Sequence, residues 1–150
     1  MSSTSTADEA KRCVVDDKPG GDKRRCAVLV ADDDSFVRTM LRIGLQGYGF
    51  KIYLASNGQD AVEIYRQHRD DIDAVLLDIR MPGLDGPQAL EALRLLNPEI
   101  HCCFMSGETG KYSAKSLEQW KPDYFFSKPF YLESLVAVMT ELVKASPAAL

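Results

Sequence analysis

Five short apolar runs, each followed by a stretch with helical periodicity, constrain this chain more than any other feature. The runs are Cys26–Ala31, Phe50–Ala55, Asp73–Asp78, Ile100–Met105 and Asp123–Ser127. Continuous apolar runs of this length, bounded by turn residues, read as strands buried on both faces. Ser35 to about Gln46 carries Phe36, Val37, Met40, Leu41 and Leu45 as a helical stripe, with Asp34 or Ser35 able to cap it and Gly47-Tyr48-Gly49 to end it. Gly58 to His68 and Gly86 to Leu96 read as further helices, the latter with Pro87 suited to a first turn. Lys111 to about Gln119 is a weaker helix, and Pro129-Phe130 leads into a last one ending near Lys144. Strand–helix alternation repeated five times predicts an α/β fold, a parallel sheet with helices on both faces. Right-handed crossovers leave few topologies open.

The chain of 150 residues suits one domain with a real core. A net charge of -4 argues against nonspecific nucleic-acid binding. No run of 18 apolar residues occurs, and the N-terminus lacks the apolar core of a secretory signal, so a cytoplasmic location with no membrane partner is expected. Residues 1–24 are polar and read as a disordered tail, 25–146 as the folded domain and 147–150 as a frayed end. Cys102 and Cys103 are adjacent on a strand and point to opposite faces. No C-x-x-C pair exists, so the cysteines read as buried apolar thiols, with Cys13 exposed and oxidisable in the tail.

The strand ends carry the chemistry. Strand one ends in Asp32 and Asp33, strand three in Asp78, strand four in Ser106 and strand five in Lys128. Parallel strands bring these ends to one rim, where ligands of such folds bind. A carboxylate at the end of a buried strand needs a cation or donors beside it. Asp33 and Asp78 suit Mg²⁺, which takes oxygen ligands and uses one or two carboxylates. A carboxylate can also attack phosphorus, and the arriving charge would be met by Mg²⁺, Lys128 and Ser106. For Asp78 alone, a turn cap is the competing reading; for Asp32 to Asp34, an acidic helix start.

Four pieces, VLVADDDSFVR, VLLDIRMPGLDG, CCFMSG and FFSKPF, occur in that order over roughly residues 25–146. Together they resemble the receiver domain of two-component response regulators. The resemblance implies a flavodoxin-like fold with strand order 2-1-3-4-5. It implies that Asp78 accepts a phosphoryl group from the phosphohistidine of a sensor histidine kinase or a histidine phosphotransfer protein. It implies Mg²⁺ held by Asp33, Asp78 and the backbone carbonyl of Arg80, with Asp32 acting through water. Ser106 and Lys128 would hold the phosphoryl oxygens. Met81, Gly107 and Glu108 would flank the site, and an Arg80–Glu108 ion pair would shield the acyl phosphate from water. The family often places a switching Tyr three residues before the lysine; here Phe125 stands there, which removes any hydroxyl-dependent contact. A phosphorylation switch read by an unknown downstream protein, through the face formed by the fourth helix, fifth strand and last helix, is expected. The chain would be a self-modifying acceptor, not a turnover enzyme. With no helix-turn-helix segment or basic stripe, it reads as a stand-alone receiver. The alternatives are a phosphorelay intermediate or phosphate sink, and an Asp-nucleophile phosphatase.

Other signals are weaker. Ser106 to Tyr112 looks like a P-loop, but Met105 and Tyr112 break the pattern. A phosphatase Asp-x-Asp is broken by Arg80. His68 and His101 are isolated and read as structural. Tyr112 and Trp120 border the weak helix, with core packing as the default role.

Overall fold

The computed structural model describes residues 13–15, 24–107 and 111–144. Five strands form one parallel sheet: β1 (Ala27–Ala31), β2 (Lys51–Ala55), β3 (Ile72–Asp78), β4 (Cys102–Ser106) and β5 (Tyr124–Ser127). Their order is β2-β1-β3-β4-β5. The connecting helices are α1 (Ser35–Gly47), α2 (Gly58–His68), α3 (Gly86–Leu96), α4 (Ala114–Leu117) and α5 (Leu132–Lys144). This is the flavodoxin-like (βα)5 arrangement. No helix among the described residues is long and apolar enough to cross a membrane.

The pleat sends alternate strand residues to two apolar layers. Leu29, Ala31, Val75, Leu77 and Phe104 pack with Ala61 and Tyr65 of α2 and Leu90 and Leu93 of α3. Val28, Val30, Ala74, Leu76 and Met105 pack with Leu41 and Leu45 of α1 and Leu135 and Met139 of α5. β1 and β3 are buried along their whole length, which is why they read as continuous apolar runs. Cys102 and Cys103 fall in opposite layers. Burial pushes both thiols up, Cys103 to about 12, so they act as small apolar groups.

Caps set the helix starts. Asp34 accepts hydrogen bonds from the Phe36 and Val37 amides, Asn57 from the Asp60 amide, and Asp85 forms a reciprocal capping box with Gln88. The fourth helix is shorter than the sequence predicts. It makes one turn, continues as a 3-10 turn over Glu118–Trp120, and stops at Lys121 in the left-handed region with φ 49°. Pro122 follows at once. Side chains rather than helix length fix this segment against α3. The Tyr112 hydroxyl donates to Asp85 and the Trp120 indole N–H to Glu91, both at 2.8 Å. Arg94 donates to the Trp120 and Lys121 carbonyls. Tyr112 and Trp120 stack edge-on and pack against the α2/α3 layer. His68 stacks on Tyr53, and His101 lies 3.5 Å from Asp123.

The cysteine expectation fails at one pair. Cys13 and Cys26 are joined in a disulfide rather than standing as an exposed thiol and a buried one. The reason is backbone pairing that the sequence does not signal. The Val14 N–H donates to the Arg24 carbonyl, and the Cys26 N–H to the Val14 carbonyl, each at 2.9 Å. Residues 13–15 are thereby attached at the head of β1, although the sequence places them in a disordered tail. Residues 1–12 and 16–23 of that tail, Glu108 and residues 145–150 lie outside the described residues, whereas Arg24 is described and donates to Asp73.

Gly86 fixes how α3 meets β3. A Cβ there would lie 2.6 Å from the Asp78 carbonyl oxygen and 2.8 Å from Ile79 Cα, and backbone atoms cannot yield as a flexible side chain does. Gly86→Ala is therefore expected to lower the unfolding free energy by about 1–3 kcal/mol, measured by urea denaturation. An unchanged midpoint would show that the β3–α3 loop yields freely.

Candidate functional site

The carboxyl ends of β1, β3, β4 and β5 meet at one rim, because all the strands run the same way. β1 delivers Asp32 and Asp33, β3 Asp78, β4 Ser106, and the turn after β5 Lys128. Beside them opens a cavity of about 790 Å³, whose lining includes Asp33, Asp78, Arg80, Ser106 and Lys128. Met81 and Gly107 also line it.

Asp32 is fully buried, and its partners account for that. One carboxylate oxygen accepts the Asp34 N–H at 2.9 Å; the other accepts the Lys128 ammonium at 2.7 Å. Its carbonyl accepts from the Arg38 guanidinium at 2.7 Å. Asp78 is 6% exposed and lies 3.5 Å from the same ammonium. Asp33 is exposed. One carboxylate oxygen from each of the three residues falls within 4.8 Å of the others.

Such crowding has an electrostatic signature. Burial and the neighbouring Asp32 charge push the Asp78 carboxyl up to about 7, against the pull of Lys128. Burial opposes the Lys128 charge, but its hydrogen bond to Asp32 and the two carboxylates outweigh that and raise its pKa. One ammonium thus faces more negative charge than it neutralises. The oxygen-only donor set, partly buried and open to a water-accessible cavity, fits a hard divalent cation such as Mg²⁺.

Lys128 is held in register by its own backbone: its N–H donates to the Ser106 carbonyl at 3.0 Å. Ser106 is buried at the end of β4. Phe125 is half-buried and packs on the α2/α3 layer; Tyr124, one residue earlier, is exposed. The expected Arg80–Glu108 pair involves a residue outside those described.

Four neighbours of the site escape a sequence reading. Arg38 holds the Asp32 carbonyl from within α1, a long-side-chain contact that no spacing rule marks. Tyr112 and Lys111 form the far wall with Asp85, the ammonium 3.9 Å from its carboxylate. Asp85 could have been found as an N-cap before Gly-Pro, but its pairing with Tyr112 depends on the tertiary fold.

A five-stranded, doubly wound α/β domain with an acidic trio and a lysine at its carboxyl rim is a receiver-type domain. The model of the response regulator receiver domain family matches residues 28–140, and the chain belongs to that family. The transcriptional regulatory protein PrrA of Mycobacterium tuberculosis is 37% identical over 118 residues, covering 78% of this chain and 49% of PrrA. The sensor kinase CckA of Brucella abortus is 32% identical over 117 residues, covering 78% of this chain and 12% of CckA. The chain thus matches only part of each of these relatives. A receiver domain from Clostridium thermocellum superposes with a TM-score of 0.75 at 21% identity, covering 80% of this chain and 95% of that one. The CheX–CheY–BeF3–Mg²⁺ complex from Borrelia burgdorferi gives 0.71 at 26%, covering 78% and 88%.

If like-charge repulsion dominates at Asp78, removing its charge stabilises the metal-free fold. Asp78→Asn in EDTA at neutral pH is expected to raise the unfolding free energy by about 1–3 kcal/mol, read from the urea midpoint. A lower midpoint would show that attraction to Lys128 outweighs repulsion by Asp32.

Proposed function

We propose that this chain is a phosphorylation-controlled switch of a two-component system, with Asp78 as the phosphoacceptor. The observation that carries the reading is the pairing of Asp78 with Lys128 at 3.5 Å, beside two further carboxylates, at the mouth of an open cavity. The donor would be a phosphohistidine on a sensor histidine kinase or a phosphotransfer protein. An Asp78 carboxylate oxygen attacks phosphorus, the P–N bond breaks, and the electron pair stays on the imidazole nitrogen as an acyl phosphate forms. Mg²⁺, held by Asp33, Asp78 and the Arg80 carbonyl with Asp32 through water, would neutralise charge on the phosphoryl oxygens. Lys128 supplies a preorganised ammonium, and the Ser106 hydroxyl donates to a phosphoryl oxygen. Asp32 positions Lys128 through their 2.7 Å contact.

Phosphorylation would then bias the face built from α4, β5 and α5, where a downstream protein binds. Coupling of about 1–3 kcal/mol suffices to change partner affinity between about fivefold and 150-fold. Phe125 has no hydroxyl to report the phosphoryl group, and the segment around α4 is tied to α3 by Tyr112, Trp120 and Arg94. Those ties favour a second reading, a relay intermediate or phosphate sink that returns the group to a histidine without conformational output. Partner affinity measured with and without phosphorylation separates the two.

Intact mass after incubation with a small phosphodonor tests the chemistry. Wild type with Mg²⁺ is expected to gain one phosphoryl group. EDTA or Asp78→Asn should abolish the adduct, and Lys128→Ala should reduce it. Absence of both an adduct and Mg²⁺ binding would overturn the reading in favour of a phosphorylation-independent interaction module. Continued turnover of a phosphoester past one equivalent would indicate a phosphatase.

A further inference from the structure

Cys13 and Cys26 lie at the amino ends of the strands, at the opposite end of the sheet from the acidic rim. Their Cα atoms are 4.5 Å apart, with a sequence separation of 13. Two backbone hydrogen bonds join Val14 to the 24–26 stretch, and Cys13 and Val15 pack on the edge of the α1/α5 layer. Cys13 is partly exposed, whereas Cys26 is 1% exposed, so a reagent from solvent meets the Cys13 sulfur first. An Asp73 carboxylate oxygen lies within 4.8 Å of both sulfurs. That carboxylate is already engaged: Arg24 donates to its two oxygens at 2.8 and 3.0 Å, and the Ala27 N–H donates at 2.9 Å. A carboxylate so neutralised is a poor cation ligand, and both sulfurs are already joined to each other, so the cluster is not a metal site.

We propose that Cys13 and Cys26 form a reversible redox site, a clasp that fixes residues 13–15 to the head of β1 when oxidised and frees them when reduced by a dithiol protein. Among the described residues the Val14–Arg25 pairing is an isolated bridge with two backbone hydrogen bonds, so the covalent link supplies most of the constraint. A reductant thiolate attacks Cys13 Sγ; the S–S bond breaks, and Cys26 leaves with the electron pair and takes up a proton. The second thiol of the reductant attacks the reductant's own sulfur in the mixed disulfide, releasing Cys13 as a thiol after protonation. The protein disulfide becomes two thiols, and the dithiol becomes a disulfide. β1 itself is fully buried between its neighbours, so release leaves the frame of Asp32 and Asp33 in place.

Peptide mapping and amide hydrogen exchange on the full chain test the clasp. The aerobically purified protein is expected to yield a linked Cys13–Cys26 peptide. Dithiothreitol under native conditions should open it, leave Cys13 open to alkylation, and speed exchange at the Val14 and Cys26 amides by at least about tenfold. Amides of β3 should stay protected, and reoxidation should restore the linked peptide. Cys13→Ser should exchange like the reduced chain. Free thiols in the aerobic protein, a bond that resists dithiothreitol until the fold is denatured, exchange that ignores reduction, or failure to reclose would each overturn the proposal.

Discussion

The contact between Lys128 and Asp32 organises this molecule's functional end. It joins residues 96 apart in sequence at 2.7 Å and lets a fully buried carboxylate remain in the core. Without a cation there, two buried carboxylates, Asp32 and Asp78, would face each other unneutralised, an arrangement that costs free energy or forces protonation. Burial first, and the Asp32 charge second, raise the Asp78 pKa against the pull of Lys128. The acidic trio at the rim suits a hard divalent cation.

The scaffold holds that balance through backbone rather than side chains. β3 runs buried between β1 and β4 and ends on Asp78, with the next amide, Ile79, donating to the Met105 carbonyl. Gly86 lets α3 begin against the Asp78 carbonyl. Lys128 is referenced to β4 through Ser106. Each proposed functional group therefore sits on a strand end or within two residues of it, where rigid neighbours fix its position.

Regions farther from the rim are held differently. The short α4 turn carries one buried residue, Leu117, and depends on side-chain ties to α3. A helix this short has little stability of its own. The rim residues and the α4 segment are thus held by different means, which is why two functional readings share one site.

The α/β class, the five strands and the residues at their carboxyl ends were legible in the sequence, because short apolar runs bounded by turn residues mark strands. Burial on both faces holds for β1, β3 and β4 but not for the edge strands β2 and β5, which are partly exposed. The strand order and the family came from motif resemblance rather than from periodicity. The length of α4 was not legible: Lys111–Gln119 has enough apolar residues to suggest a helix, but contacts from Asp85, Glu91 and Arg94 decide its shape. The Cys13–Cys26 link was hidden for the same reason, since spacing alone says nothing about a bridge that depends on Val14 lying beside Arg25. By itself the sequence determined which side chains stand at strand ends, since that follows from local pattern. Only the tertiary structure decided how far apart their charges lie and which of them share one ammonium, because those distances arise from strands far apart in the chain.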